Sequence, residues 1–459
     1  MKDFRNTLEQ FSALLFVSQD VEFCSSLGRH AMLDAPWLDS IDGINENLNK
    51  VERFYGYMTD ASQEKGIEEL ELVLSELVNI NGSIQTIKQT DSICSDVDFF
   101  EIKKLAIVEE KVRQLSSDYG FELESKPALT KVLEVLDPLA QRLPTFYLSS
   151  DFDPQLGLLR KKQEQSKSDE EQSKIAEEIA KLEDSVRARL TKQLSASADD
   201  LMSVLRAFSQ DILALGKARW AIEIGAVRPI PREKGRSVIK NVIHPEVKSS
   251  LEKRGLEFQP VSIDFLSEPT LITGANMAGK SVLLSSIALL QLLMQYGWYV
   301  PAEYAELVMV DEVMLSVGDG QDLSNGLSSF GAEMLRMDAI VKMVKAGRRV
   351  LALVDEPARS TNPTEGHALV MGLVQLLKNY QVRAIITTHY SNINIDVRRW
   401  RVKGFVEDRL VQPLRINQLN QCIDYSLEED VLETVPQEAF RIARILGVDE
   451  ELLEMCKVE

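Results

Sequence analysis

The sequence predicts an α/β fold, a mostly parallel sheet flanked by helices, preceded by an all-helical region. Three observations carry this. From residue 1 to about 225, Leu, Ile and Val recur at three- and four-residue spacings with few glycines and no convincing strand. After about 225, short β-branched runs appear: TLITG, RVLALVD and RAIITTH. Each is followed by a loop and then by helix-like sequence, the alternation that builds a parallel sheet covered on both faces.

The division therefore falls into residues 1–225, helical, and 226–459, α/β. Within the first, Ile175, Ile179, Leu182, Val186, Leu190 and Leu194 form one apolar stripe inside a highly charged run. That pattern suits a long hairpin arm over about 155–200, or equally one amphipathic helix on a globular core. Residues 160–200 read as uninterrupted helix. At 459 residues, 44% apolar and 27% charged, the chain has the composition of a soluble globular protein. Its four cysteines lie far apart without a CxxC pair, as expected for reduced thiols in the cytoplasm. The uncharged stretch Ser281–Val300 reads as a buried helix and not as a membrane span, so no membrane partner is expected.

The chemistry starts at the end of the first β-branched run. Gly274-Ala275-Asn276-Met277-Ala278-Gly279-Lys280-Ser281 fits GxxxxGK[ST], with Val282 continuing into an apolar helix. Such a loop turns successive amides and a helix N-terminus toward phosphates, adds the lysine charge, and offers the Ser281 hydroxyl to Mg²⁺. Between a strand and a long helix it marks a P-loop that binds a nucleoside triphosphate with Mg²⁺.

A second run, Val350–Val354, ends in Asp355-Glu356. Adjacent carboxylates at a buried strand end are costly without a cation, and a metal-bound phosphate explains both. Asp355 would support the magnesium and Glu356 would polarise the attacking water. The third run ends in Thr387-Thr388-His389, where an imidazole can contact the γ-phosphate or orient the water. For His30, His244 and His367, a core position or a helix cap is the expectation.

These residues resemble the MutS family of ATPases. TGANMAGKS is similar to its phosphate loop, DLSNGLSSFGAEM at 322–334 to its dimer-crossing segment, and VDEPARSTNPTEG at 354–366 to its acidic strand end. TTHYSNI resembles its histidine loop, and CIDYSLEED with AFRIARILGVDEELLE its carboxyl-terminal stretch. In the helical half, SSLGRHAMLDAPWLDSIDGINENLNKVERF at 25–54 and SVLRAFSQDILALGKARWAIEIGAVRPI at 203–230 are similar to the family's core and lever.

The resemblance implies a homodimer joined through its ATPase domains. Gly279, Lys280 and Ser281 would grip phosphate and metal, Asn276 would lie beside the γ-phosphate, and Ser328 would reach the partner's nucleotide. Phe258 is a candidate for packing on adenine. Departures from the family are Pro357-Ala358 for the usual Ile-Gly, Ser360 for glycine and Leu327 for arginine, which bear on coupling across the interface. The expectation is also that the mismatch-reading, connector and clamp domains and a nuclease extension are missing.

Two functions follow from the resemblance. One is a DNA-transaction ATPase related to mismatch repair. Its electrostatic support is limited to RPIPREKGRSVIK at 228–240 and VRRWRVKG at 397–404, against a net charge of −19. The other is a protein-remodelling ATPase acting on a metabolic enzyme, such as a reactivase of a cobalamin-dependent aminomutase, which an acidic, clamp-less scaffold suits.

Overall fold

The computed structural model describes residues 3–459 apart from Thr90, 275–278, 318–328, Ser360, Ser391, 407–421, 431–442, 444–446 and 456–459. The chain divides into two compact units, one of residues 22–35 and 50–219, the other of 1–21, 36–49 and 220–459.

The regular elements among the first unit's described residues are all helices. Its central helix, Asp96–Tyr119, starts at a capping box in which Ser95 and Asp98 satisfy each other's backbone N–H, and it stops at Gly120, φ 72°. Phe99, Ile102, Leu105 and Val108 from this helix are buried, each fully buried side chain contributing about 1.5–3 kcal/mol. The stripe on helix Asp169–Leu194 is buried too, except for half-buried Leu182.

The helix expected to run unbroken over 160–200 is interrupted. Helix Pro154–Gln165 ends, and Asp169–Leu194 begins after Ser166-Lys167-Ser168. Serine side chains compete with the helical ladder: the Ser166 hydroxyl accepts from the Ser168 N–H at 3.4 Å, and Gln172 donates back to the Ser166 carbonyl at 2.8 Å. Three acids in the next turn, Asp169, Glu170 and Glu171, then favour a fresh helix N-terminus. The two helices form a hairpin tied by Arg160 and Glu183 at 2.8 Å.

The second unit holds two sheets. Among its described residues the strands are β1 (Ile230–Arg232), β2 (Ser237–Val242), β3 (Val261–Phe265), β4 (Pro269–Thr273), β5 (Tyr304–Val308), β6 (Glu312–Ser316), β7 (Val350–Val354), β8 (Arg383–Thr387), β9 (Arg398–Phe405) and β10 (Ile423–Glu429). The larger sheet has the order β10-β9-β4-β8-β7-β6, all parallel except the antiparallel edge β10. The three β-branched runs of the sequence are β4, β7 and β8, and every residue of each is buried. Such continuous burial is what a parallel strand covered on both faces demands.

The smaller sheet, β1-β5-β2-β3, is mainly antiparallel and was not anticipated. Helix Lys280–Gln295 is buried along most of its length, which accounts for its lack of charge. The segments 1–21 and 36–49 fold with this α/β unit. Thr7 and Tyr296 share a hydroxyl contact at 2.6 Å, and the Leu38 N–H donates to the Gln295 carbonyl at 3.0 Å. Among the described residues, no helix is long and apolar enough to cross a membrane.

Candidate nucleotide site

Ligands of open parallel sheets bind beyond the carboxyl ends of the strands. Here β8 lies between β4 and β7, so the residues following these three strands share one rim. After β4, Gly274 takes φ 148°, where a side chain would be forced against Val402. Gly279, φ 73°, then starts helix Lys280–Gln295. A Cβ at Gly279 would meet the Tyr425 ring at 2.9 Å, so both its conformation and its surroundings require glycine.

Lys280 turns back across the loop. Its ammonium donates to the Gly274 carbonyl at 2.7 Å and pairs with the Glu356 carboxylate at 3.0 Å. Beside it, the Ser281 hydroxyl donates to Asp355 Oδ2 at 2.5 Å. Thr387 bridges the two acids: its hydroxyl donates to Asp355 Oδ1 at 2.6 Å and accepts from the Glu356 N–H at 2.9 Å. The structure thus brings together residues 280, 281, 355 and 356 from two strand ends, with Thr387 from a third.

The electrostatics follow from this packing. Burial opposes ionisation of Glu356, but the hydrogen bond and charge of Lys280, helped by Arg359 and His389, hold its carboxyl below the usual glutamate range. His389 lies at the rim with its ring 4.4 Å from that of Tyr390. Desolvation lowers its pKa, against the pull of the Glu356 carboxylate. The Ser281 hydroxyl and Asp355 carboxylate meet as two hard oxygen donors, which suits Mg²⁺, an ion that takes few protein ligands and keeps others from water and phosphate.

A cavity of about 800 Å³ opens beside Gly279 and Lys280, with Val282 also in its wall. Its apolar lining includes Val247, Leu251, Phe258, Ile423 and Tyr425, a setting that fits an aromatic base. Phe258 is therefore placed next to the phosphate loop. His244 is a helix cap, as the sequence suggests. Its Nδ1 accepts from the Val247 N–H at 3.5 Å while Nε2 meets the Ser285 hydroxyl at 3.1 Å, and burial pushes its pKa down to about 4.

Sequence reasoning missed Thr387 as a bridge and Tyr425 as a wall of the cavity. The first was within reach, since it ends a strand beside the other two. Tyr425 comes from an antiparallel edge strand more than a hundred residues downstream, and only tertiary pairing brings it here. Gln259 fixes that strand: its amide donates to Asp424 at 2.7 Å and its carbonyl accepts from the Tyr425 N–H at 3.2 Å. Ala275, Asn276, Met277, Ala278, Leu327, Ser328 and Ser360 lie outside the described residues.

The two basic stretches are largely engaged within the fold. Arg398 pairs with Asp264 and Glu429, Arg401 with Glu428, and Lys403 with Asp424. In the other stretch Arg232 pairs with Glu306 and Arg236 with Asp264.

Residues 270–442 match MutS domain V. An "Endonuclease MutS2" of Halalkalibacterium halodurans is 29% identical over 282 residues, 59% of this chain and 33% of that protein. A "DNA mismatch repair protein MutS" of Rhodopseudomonas palustris is 33% identical over 220 residues, 46% of this chain and 24% of the relative. The Thermus aquaticus protein of the same name is 30% identical over 288 residues, 62% and 34% of the two chains. The match spans about a third of these relatives' length at most. Over residues 270–442, within its α/β half, the chain thus carries domain V of the MutS family, a P-loop ATPase domain.

Proposed function

We propose that the protein is a Mg²⁺-dependent ATPase that works as a homodimer in a DNA transaction related to mismatch repair. The observation that carries the reading is the convergence of Lys280, Ser281, Asp355, Glu356 and Thr387 at adjacent strand ends. Lys280 and the loop amides would bind the β- and γ-phosphates. Ser281 and Asp355 would hold the metal, which when bound neutralises charge on the phosphate oxygens. Glu356, kept ionised, would accept a proton from the attacking water, with His389 orienting water or γ-phosphate. The cavity lined by Phe258 and Tyr425 would take the base.

Composite sites completed by the partner's loop around residue 328, and a cytoplasmic location, belong to the same reading. Its DNA component is supported by the names of the relatives, which favour it over remodelling of a metabolic enzyme. The internal pairing of both basic stretches argues against broad phosphate tracking by them.

The test is phosphate release from Mg-ATP by the purified chain and by Glu356→Gln. The variant should bind ATP with parental affinity and turn over at least about a hundredfold more slowly. Equal turnover would refute the assignment of the base. Duplex and branched DNA are titrated in parallel at rising salt. The absence of binding at low salt would remove the DNA reading and leave the ATPase.

A further inference from the structure

The turn after Glu356 is unusual. Glu356 has φ 42° and Ala358 φ 63°, both in the left-handed region that a Cβ disfavours. Ala358 is wholly buried, and the peptide units on both sides of its Cα are held. Its N–H donates to Glu333 Oε1 at 2.5 Å, and its carbonyl accepts from the Tyr390 hydroxyl at 3.0 Å.

Glu333 belongs to helix Ser329–Lys345, and Tyr390 directly follows His389. Tyr390 is itself fixed. Its N–H donates to Thr388 Oγ1 at 3.0 Å, and its ring meets the ring of His367 edge-on at 6.0 Å. At Gly366 any side chain would overlap the Tyr390 hydroxyl and come within 2.9 Å of the Ala358 carbonyl, so glycine there makes room for the contact.

We propose that Tyr390 and Glu333 are positioning residues for the Glu356 carboxylate, holding the Ala358 backbone left-handed so that Glu356 points to Lys280. The inference rests on reading Glu356 as the base for ATP hydrolysis. A strained conformation persists only where its surroundings over-determine it, and one hydrogen bond to each of the two peptide units flanking the Ala358 Cα does this. Releasing one lets Ala358 relax toward negative φ, and Glu356, two residues earlier, moves off line. Neither positioning residue needs to touch nucleotide, so binding should be spared while turnover suffers.

The experiment measures kcat and KM for Mg-ATP with the full chain. Tyr390→Phe, which removes one hydroxyl, should lower kcat about ten- to a hundredfold with KM nearly unchanged, the effect of a misplaced catalytic group. Placed in an Ala358→Gly background, where the left-handed turn carries no Cβ strain, the same change should cost much less. Glu333→Ala should lower kcat, and Glu333→Gln, which keeps an acceptor oxygen, should restore it. That pair decides the matter if Tyr390→Phe fails to fold. The inference is overturned by a Tyr390→Phe enzyme with parental kcat, by an effect confined to KM, or by an equal loss in both backgrounds. A parent chain that does not hydrolyse ATP brings down the base assignment and this inference together. Activity in the parent with indifference to these variants brings down the inference alone.

Discussion

The Lys280 ammonium lies 3.0 Å from the Glu356 carboxylate, and the two side chains are only 5% and 11% exposed. A buried ion pair is costly to break from one side, because the remaining charge is left without its partner. Lys280→Met should therefore lower the melting temperature at pH 7 by a few degrees. The sign with pH is fixed by Glu356, whose folded-state pKa is depressed. Its stabilisation is present above the unfolded value of about 4.3 and is lost as pH falls through the lower folded value. Melting curves of parent and variant should accordingly converge in acid below about pH 4. A gap that persists unchanged well below that pH would mean that the pair contributes nothing through ionisation.

Asp355 is the shared acceptor of Ser281 and Thr387. Asp355→Asn keeps the shape but removes the charge that favours a divalent cation. Turnover should drop by about a hundredfold or more, with a raised Mg²⁺ requirement. Binding of ATP without metal, which depends on the loop and Lys280, should change far less. Isothermal titration with and without Mg²⁺ separates the two; equal Mg²⁺ dependence in parent and variant would move the metal elsewhere.

Tyr425 stands against Gly279 and lines the same cavity as Phe258. Stacking on an aromatic side chain contributes about 1–3 kcal/mol per base, so Tyr425→Ala or Phe258→Ala should weaken ATP binding about five- to a hundredfold. Inorganic tripolyphosphate has no base and should bind the parent and both variants alike. Parallel losses for the two ligands would show that the substitutions disturb the loop and not the base pocket.

The phosphate-binding half of this site was legible because its signals are local. A buried parallel strand needs a β-branched run, and a phosphate loop needs glycines at fixed spacing, as at Gly274 and Gly279. The rest depended on distant pairing. Strand β9 reads as RRWRVKGF, and its charges disguise a strand in which Arg398 and Arg401 are matched by acids on β3 and β10. The smaller sheet uses short strands with mixed burial, such as β2 and β3, which leave no continuous apolar run. The break at 166–168 was hidden because serine is compatible with helix unless its side chain captures a backbone group. Ala358 is visible in the sequence as a departure from the MutS pattern, yet its left-handed backbone is a property of the turn and is seen only in the structure.

Lys217 tests the helical unit independently of nucleotide chemistry. It is 3% exposed, and burial, reinforced by the charge of Lys50, pushes its pKa down to about 7. An unfolded lysine titrates near 10.4, so between about pH 7 and 10 the unfolded chain binds a proton that the folded chain does not. Stability then rises with pH across that window, and the cost of the buried ammonium is greatest at and below pH 7. Lys217→Met replaces it with an apolar chain of similar length that does not titrate. Its melting temperature should exceed the parent's by a few degrees at pH 6.5, and the excess should shrink steadily toward pH 10. An excess that is independent of pH would assign the gain to packing, and a destabilised variant would show that the contacts made by the Lys217 ammonium outweigh its desolvation.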